Sequence, residues 1–281
     1  MKENILVIFG GQDPEEQAAR TIARVAGCVL ATAVTADGKK VHAGNAYQAT
    51  GYAVDEGGDL AGVTGVVIFE CAPAVAGELP VVARCDHHNP GDAGYGLPAA
   101  EYWQASSLGQ LCVVIGTEPT DDLRMVAAGD HCPADAYAGR CPGVDPAAFA
   151  AARISGKVAF YATNPRTADK AAPEKIQAAI EAAKVRLLAA PIVDGVRDLR
   201  DAGEVDELPE AALASGLAYM AAIPDVDRDR QPTGNTKIVL GGHTTPETVE
   251  RFLGWAKTLA NRVGEPYGNP VRGFAGVVVK P

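Results

Sequence analysis

Aromatic side chains are scarce in this sequence, at 6 % of residues, so its core must rest on Val, Leu, Ile and Ala. It has no unbroken apolar run of about 18 residues, the length a membrane-spanning helix needs. It also lacks any basic run. Lys and Arg number 25 against 35 Asp and Glu, a formal net charge of −10. Affinity for long nucleic acid comes largely from cations that neutralise phosphates, so a long polymer is a poor partner and a small anion is a better one. The five-residue apolar run that follows Met1-Lys2-Glu3-Asn4 is too short for an export signal and lacks a cleavage site. A cytoplasmic location is expected. The six cysteines form an even set, but the chain is long and several lie in apolar runs, where free thiols pack as small hydrophobes. Disorder is excluded by a hydrophobic content of 47 %.

What is present is a pattern of strands alternating with helices, the signature of a parallel sheet. Apolar runs at Ile5–Phe9, Val29–Val34, Val63–Phe69 and Leu79–Cys85 read as buried strands. Asp13-Pro14-Glu15-Glu16 carries an N-cap, a proline at the first helical position and acids in the first turn. The helix it starts is expected to bury Ala18, Ile22, Val25 and Ala26. Ser106-Ser107 precedes a helical LGQLCVVIG, and Met125–Gly129 is read as a further apolar stretch ending at Asp130-His131. Periodicity fades over Ser155–Ala172. Pro173–Ala190 then forms an amphipathic helix with Ile176, Ile180, Ala183 and Leu187 on its stripe. The expected organisation is an α/β parallel-sheet domain over residues 1–160, a linker and connector helix over 161–190, and a smaller α/β domain over 191–281. In the last of these, Lys237–Leu240 is a strand, Gly241-Gly242-His243 a turn, and Thr245-Pro246-Glu247 the start of a helix with Val249, Phe252, Leu253, Ala256 and Leu259 buried.

Ligands of open parallel sheets bind beyond the carboxyl ends of the strands, which is where this sequence collects acids and imidazoles. Asp13 and Glu15 follow the first strand, Glu70 follows FECA's apolar run, Asp86-His87-His88 follow the next, and Asp130-His131 end another. Carboxylates with one or two imidazoles suit Mn²⁺ or Mg²⁺ better than structural zinc. Such ions acidify bound water and neutralise charge on a phosphoryl oxygen, so the chemistry expected is phosphoester hydrolysis. A rival zinc set, His131, Cys132, Cys141 and Cys85, has spacing too wide for a CxxC knuckle.

The segment VVARCDHHNPGD resembles the defining motif of the DHH phosphoesterases, in which an apolar strand enters Asp-His-His and a proline soon follows. DPEEQ resembles a degenerate form of that family's first motif, Glu70 stands in the place of its second-motif aspartate, ASSLGQL resembles its serine-started helix, and Asp130 in MVAAGDH resembles its fourth-motif aspartate. The connector helix and LGGH resemble the DHHA1-like substrate-binding domain fused behind the catalytic one. The resemblance implies one metal held by Glu15, Glu70, His87 and Asp130, and a second with only Asp13 and Glu70. It makes Asp86 and His88 the catalytic pair that supports the first histidine and meets the phosphate. It gives Gly241, Gly242, His243 and Arg272 to the substrate.

The first motif departs from the family, with Gly11 where a histidine is usual, Glu15 for Asp and Glu16 for Gly. The expected function is therefore hydrolysis of a small nucleotide or short oligonucleotide. The alternatives are a catalytically impaired nucleotide-binding or sequestering protein on the same scaffold, and a pyrophosphatase-like enzyme. Partners are expected to be a small phosphorylated substrate, with no long nucleic acid, no membrane, and a homodimer left open. Structural readings stand beside these. Asp13 is explained by capping and Glu15 by the helix dipole. Glu70 is explained by a solvated strand end, and Gly241-Gly242 by a tight turn. Tyr95, Tyr102 and Trp103 read as packing residues, and Asp194–Glu210 as a solvated mixed-charge face.

Overall fold

The computed structural model describes residues 4–42, 44–74, 79–163, 165, 167–227 and 231–281. The chain is a mixed α/β protein that divides into two compact units, Met1–Phe149 and Ala150–Pro281. The break falls inside a helix rather than at 160/161.

In the first unit the elements are β1 (Ile5–Phe9), α1 (Pro14–Val25), β2 (Val29–Val34), β3 (Gly51–Val54), β4 (Gly65–Phe69), β5 (Val81–Cys85), α2 (Tyr102–Ala105), α3 (Ser107–Ile115), α4 (Asp121–His131) and α5 (Pro133–Tyr137). The sheet order is β3-β2-β1-β4-β5. All pairs are parallel except the antiparallel edge strand β3. Alternate residues of the central strands feed two cores, as strand geometry requires. Ile5, Val7, Phe9, Val67 and Phe69 pack with α1, α3 and α4. Leu6, Ile8, Val66 and Ile68 face Val41, Ala46 and Cys71 on the other side.

Two expectations about this unit are corrected. In α1 Glu15, Ala19 and Ala23 are buried and Ala18 and Ile22 pack against the same core, while Val25 is 85 % exposed. Glu15 faces inward at the first turn, and positions four and eight residues later must follow it. The stretch before Asp130 is not a strand. It is the last part of α4, started by Thr120, whose hydroxyl caps Leu123 N. Tyr102 and Trp103 pack as expected, Tyr102 fully buried and Trp103 against the same core.

The second unit contains most of α6 (Pro146–Ala162), then α7 (Pro173–Ala189), β6 (Ile192–Val193), β7 (Val196–Leu199), α8 (Leu208–Ser215), β8 (Ala218–Val226), β9 (Pro232–Gly242), α9 (Pro246–Thr258), β10 (Arg262–Asn269) and β11 (Phe274–Val279). Its sheet runs β10-β11-β9-β8-β7-β6, antiparallel apart from β7–β8. The stripe Ile176, Ile180, Ala183 and Leu187 of α7 is buried as read from the sequence. Periodicity does not fade at 155, because α6 continues and packs Ile154, Val158 and Tyr161 against that stripe.

The acid-rich stretch is not simply a solvated face either. Glu207 and Glu210 are buried. Arg153 grips Glu210 through two hydrogen bonds of 2.9 and 2.8 Å, and Lys157 lies 2.9 Å from Glu207. Buried carboxylates persist where cations and donors compensate the lost water. Among the described residues no helix is long and apolar enough to cross a membrane.

Candidate metal centre

Because β1, β4 and β5 are parallel neighbours, their carboxyl ends open along one edge of the sheet. The chain leaves β1 for β2 on one side, and β4 lies on the other. This is a switch point of the kind where open α/β sheets bind ligands. Gly10 allows the crowding there, since a Cβ would lie 2.5 Å from Glu70 O and against Cys71 Cβ. Glu70 is no solvated strand end. It is 4 % exposed, and its φ of 50° lies in a region that non-glycine residues seldom occupy and that recurs at functional positions.

Asp86 organises the Asp-His-His turn. Its Oδ1 accepts from His87 N at 2.8 Å, His88 N at 3.0 Å and His88 Nδ1 at 2.9 Å. The Tyr47 hydroxyl donates to both of its oxygens at 2.9 Å. Burial works to raise this carboxyl, but the His88 and Tyr47 hydrogen bonds prevail and hold it below its ordinary value. Burial and the Asp86 charge in turn push the Tyr47 phenol upward, so it stays a donor. Gln110 locks the Asp86 backbone, donating to its carbonyl and accepting from its N–H, both at 3.1 Å.

His87 is 4 % exposed. Its Nδ1 lies 3.2 Å from Ser107 Oγ and its Nε2 lies 2.9 Å from Asp130 Oδ2. One ring nitrogen is thus positioned from behind while the other faces a carboxylate, the arrangement common to metal-binding histidines. The His88 ring stacks on it at 4.5 Å, and the His131 ring meets it edge-on at 5.3 Å.

Glu15, 1 % exposed, accepts Leu108 N at 3.0 Å through Oε1. Among the described residues no N–H or hydroxyl reaches Glu15 Oε2 or Glu70 Oε1, and the two carboxyls meet each other. Burial drives the Glu15 carboxyl well up, with the charges of Asp130 and Glu70 adding to it. Burial and then Asp130 raise Glu70 to about 8. Buried carboxylate oxygens without donors are costly unless a cation meets them. Glu15, Glu70, His87 and Asp130 each present one ligand atom, all within 4.8 Å of one another, and Glu70, His87 and His88 form an overlapping set. This buried group can hold a divalent metal ion.

Asp13 belongs to neither set but feels the charges of Asp130 and His88 and adds its own to Glu70. Its Oδ1 caps α1 at Glu16 N, 2.8 Å away, and burial raises its carboxyl. A side chain at Gly11 would point at Asp13 Oδ2 (3.0 Å) and Glu16 Oε2 (3.1 Å). Of other polar side chains in the first unit, Asp55 is bound to Arg20 and Thr32. His42 is exposed. Only His131 approaches the centre, with Nε2 against Leu97 O at 2.9 Å. The rival zinc set does not assemble among the described residues, since neither ligand group contains a cysteine.

In the second unit, Gly242 has φ 82° and lies against Leu217 O, and a Cβ at Gly241 would meet the Tyr219 hydroxyl at 3.0 Å. The turn therefore needs both glycines for packing. His243 N donates to Leu217 O at 3.0 Å. Thr244 Oγ1 donates to Gly273 O at 2.7 Å, which ties this turn to the loop carrying the exposed Arg272.

Sequence reasoning missed Ser107, Gln110, Leu108 N and Tyr47. Ser106 and Ser107 look like one capping pair, yet only Ser106 caps Gly109 N, at 3.0 Å. The second serine was the legible signal. Tyr47 lies 39 residues from Asp86 and carries no local mark. No family model, no curated protein and no solved structure matches this chain.

Proposed function

We propose that this chain is a divalent-metal-dependent phosphoesterase of the DHH type that hydrolyses a small phosphorylated substrate, a nucleotide or short oligonucleotide. The observation that carries this reading is the buried convergence of Glu15, Glu70, His87 and Asp130, where among the described residues no N–H or hydroxyl meets Glu15 Oε2 or Glu70 Oε1. Hard oxygen donors with one imidazole favour Mn²⁺ or Mg²⁺. When bound, such an ion supplies an acidified water and neutralises charge on a phosphoryl oxygen.

The chain's own residues divide the remaining work. Ser107 keeps Nδ1 of His87 engaged and its Nε2 turned to the centre. Asp86, ionised and hydrogen-bonded to His88 Nδ1, fixes the orientation of the His88 ring, which we assign to charge developing on the phosphate. Gly241, Gly242, His243 and Arg272 remain the proposed substrate-binding group of the second unit.

A second reading is favoured by one observation. The place where the family resemblance expects a histidine is held by Gly11, whose Cβ would point at Asp13 Oδ2 and Glu16 Oε2, as in a binding protein that has lost turnover.

The test is release of phosphate or nucleotide from dinucleotides, cyclic dinucleotides, adenosine 3′,5′-bisphosphate and pyrophosphate with Mn²⁺, beside a His87→Ala control. Turnover that requires Mn²⁺ and falls at least ~100-fold in the control is expected, since ligand and supporting-residue losses are of that order. Nucleotide binding without turnover would favour the second reading. Unchanged metal content and activity in His87→Ala would overturn both.

A further inference from the structure

Cys132 and Cys141 lie with their Sγ atoms 3.1 Å apart, and both are free thiols. Their exposures differ, since Cys132 is partly open to solvent and Cys141 is buried. Cys132 follows the last residue of α4 and caps it, its N–H donating to Ala128 O. Cys141 is held from two sides. Its carbonyl accepts Val144 N at 3.1 Å, and the carbonyl of the next residue, Pro142, accepts the buried Tyr102 hydroxyl at 3.2 Å. The segment between them contains α5, whose N-cap is Cys132 itself.

We infer that Cys132 and Cys141 form a reversible dithiol–disulfide site that reacts with low-molecular-weight disulfides such as oxidised glutathione. The sulfurs need to approach by only about 1 Å to reach a disulfide bond length of ~2.05 Å. Rotation of the two side chains can supply this approach while the backbone bonds of Cys132 to Ala128 and Ala136 stay in place. The reaction proceeds by exchange. The Cys132 thiol gives its proton to solvent, and its sulfur attacks one sulfur of the small disulfide. A mixed disulfide forms and one small thiolate leaves. The Cys141 sulfur, deprotonated in turn, attacks the Cys132 sulfur of that mixed disulfide and expels the second small thiolate. Both cysteines are oxidised, the small disulfide is reduced to two thiols, and the released protons balance them. Exposure sets the order, because Cys132 is the one partly open to solvent. The hydrogen bond between the thiols pushes the Cys132 pKa up and the Cys141 pKa down, so Cys132 attacks once its proton is lost and the Cys141 sulfur is poised to resolve the mixed disulfide.

The test uses the full-length protein, incubated with oxidised glutathione and mapped by peptide mass spectrometry without reductant. In the unmodified sequence the expected product is one Cys132–Cys141 bridge, short of two hydrogens and restored by dithiothreitol. Cys141→Ser should accumulate one stable glutathione adduct on Cys132. Cys132→Ser should leave residue 141 unmodified on the same time scale. Circular dichroism of both variants establishes that they are folded. Failure to bridge, a bridge to another cysteine, or glutathione adducts retained on both residues would each overturn the inference.

Discussion

Single residues in this protein act through what they would otherwise leave unsatisfied. Gly94 sits where a Cβ would run into Ala105 O and lie 2.7 Å from Cβ of His87, so the Asp-His-His turn is packed against α2 with no room for a methyl group. Gly156, in α6, has nothing within 4 Å of that position. Gly94→Ala should therefore lower stability by about 2 kcal/mol or more through overpacking. Gly156→Ala should raise it by about 0.5–1 kcal/mol, because only the backbone entropy term remains. Chemical denaturation midpoints of the two variants check the pair, and equal effects of the same sign would contradict the packing described at the turn. At the same scale, the loss of metal and turnover expected of His87→Ala depends on a ring that touches both Ser107 and Asp130.

At the scale of elements, α3 separates structural from functional serine within two adjacent positions. Ser106 caps the helix at Gly109 N, and Ser107 is turned to His87 Nδ1. Ser106→Ala should cost about 1 kcal/mol, the usual worth of an N-cap. Its effect on Mn²⁺ affinity should be small. Ser107→Ala should do the reverse, weakening Mn²⁺ binding by roughly tenfold, as loss of a partner behind a metal histidine does. Isothermal titration with Mn²⁺ alongside thermal melts separates the two effects. Adjacent hydroxyls with interchangeable roles would show the same profile in both measurements.

The element scale also shows where local pattern was sufficient. β1, β2 and the helix starting at Pro14 have the bounds their apolar runs and capping residues announce, and α7 buries the stripe its periodicity marks. The face of α1 is only partly legible, since Ala18 and Ile22 pack inward as read but a hydrophobic pattern does not register the inward-facing Glu15 that sets the buried line through Ala19 and Ala23. The α4 helix was missed because the apolar residues before Asp130 were weighed without the Thr120 cap upstream of them. The acid-rich stretch was misjudged because its compensating cations, Arg153 and Lys157, lie on another helix.

For the whole molecule, the charge balance becomes a dependence on pH. The ordinary value for Glu70 is 4.5, but burial and then Asp130 hold it at about 8, and Glu15 is raised in the same sense. Between these values an unfolded chain has released protons that the folded one keeps, so metal-free stability should fall as pH rises from about 4.5 to 8. Asp86, held below its ordinary value of 3.8, has the opposite sign and acts only in more acid solution. Saturating Mn²⁺ should flatten the fall, since a cation stabilises the ionised carboxylates and binds only the folded chain. Melting curves from pH 5 to 8.5 with chelator and with Mn²⁺ test this. A chelated protein that gains stability toward pH 8 would contradict the buried, raised carboxyls.

By itself the sequence determined the α/β class, the order of the four parallel strands of the first unit, and the placing of Glu15, Glu70 and Asp86-His87-His88 just beyond strand ends. These follow from periodicity and caps, which act over a few residues. Only the tertiary structure decided that β1, β4 and β5 are neighbours, that Asp130 arrives from a helix, and that Tyr47, Ser107 and Leu108 N complete the surroundings of the site. It also separated Asp13, a helix cap, from the acids that converge. The physical reason is that burial and unmet hydrogen bonds are properties of groups brought together in space. A carboxylate with no donor within reach looks the same in sequence as one surrounded by water.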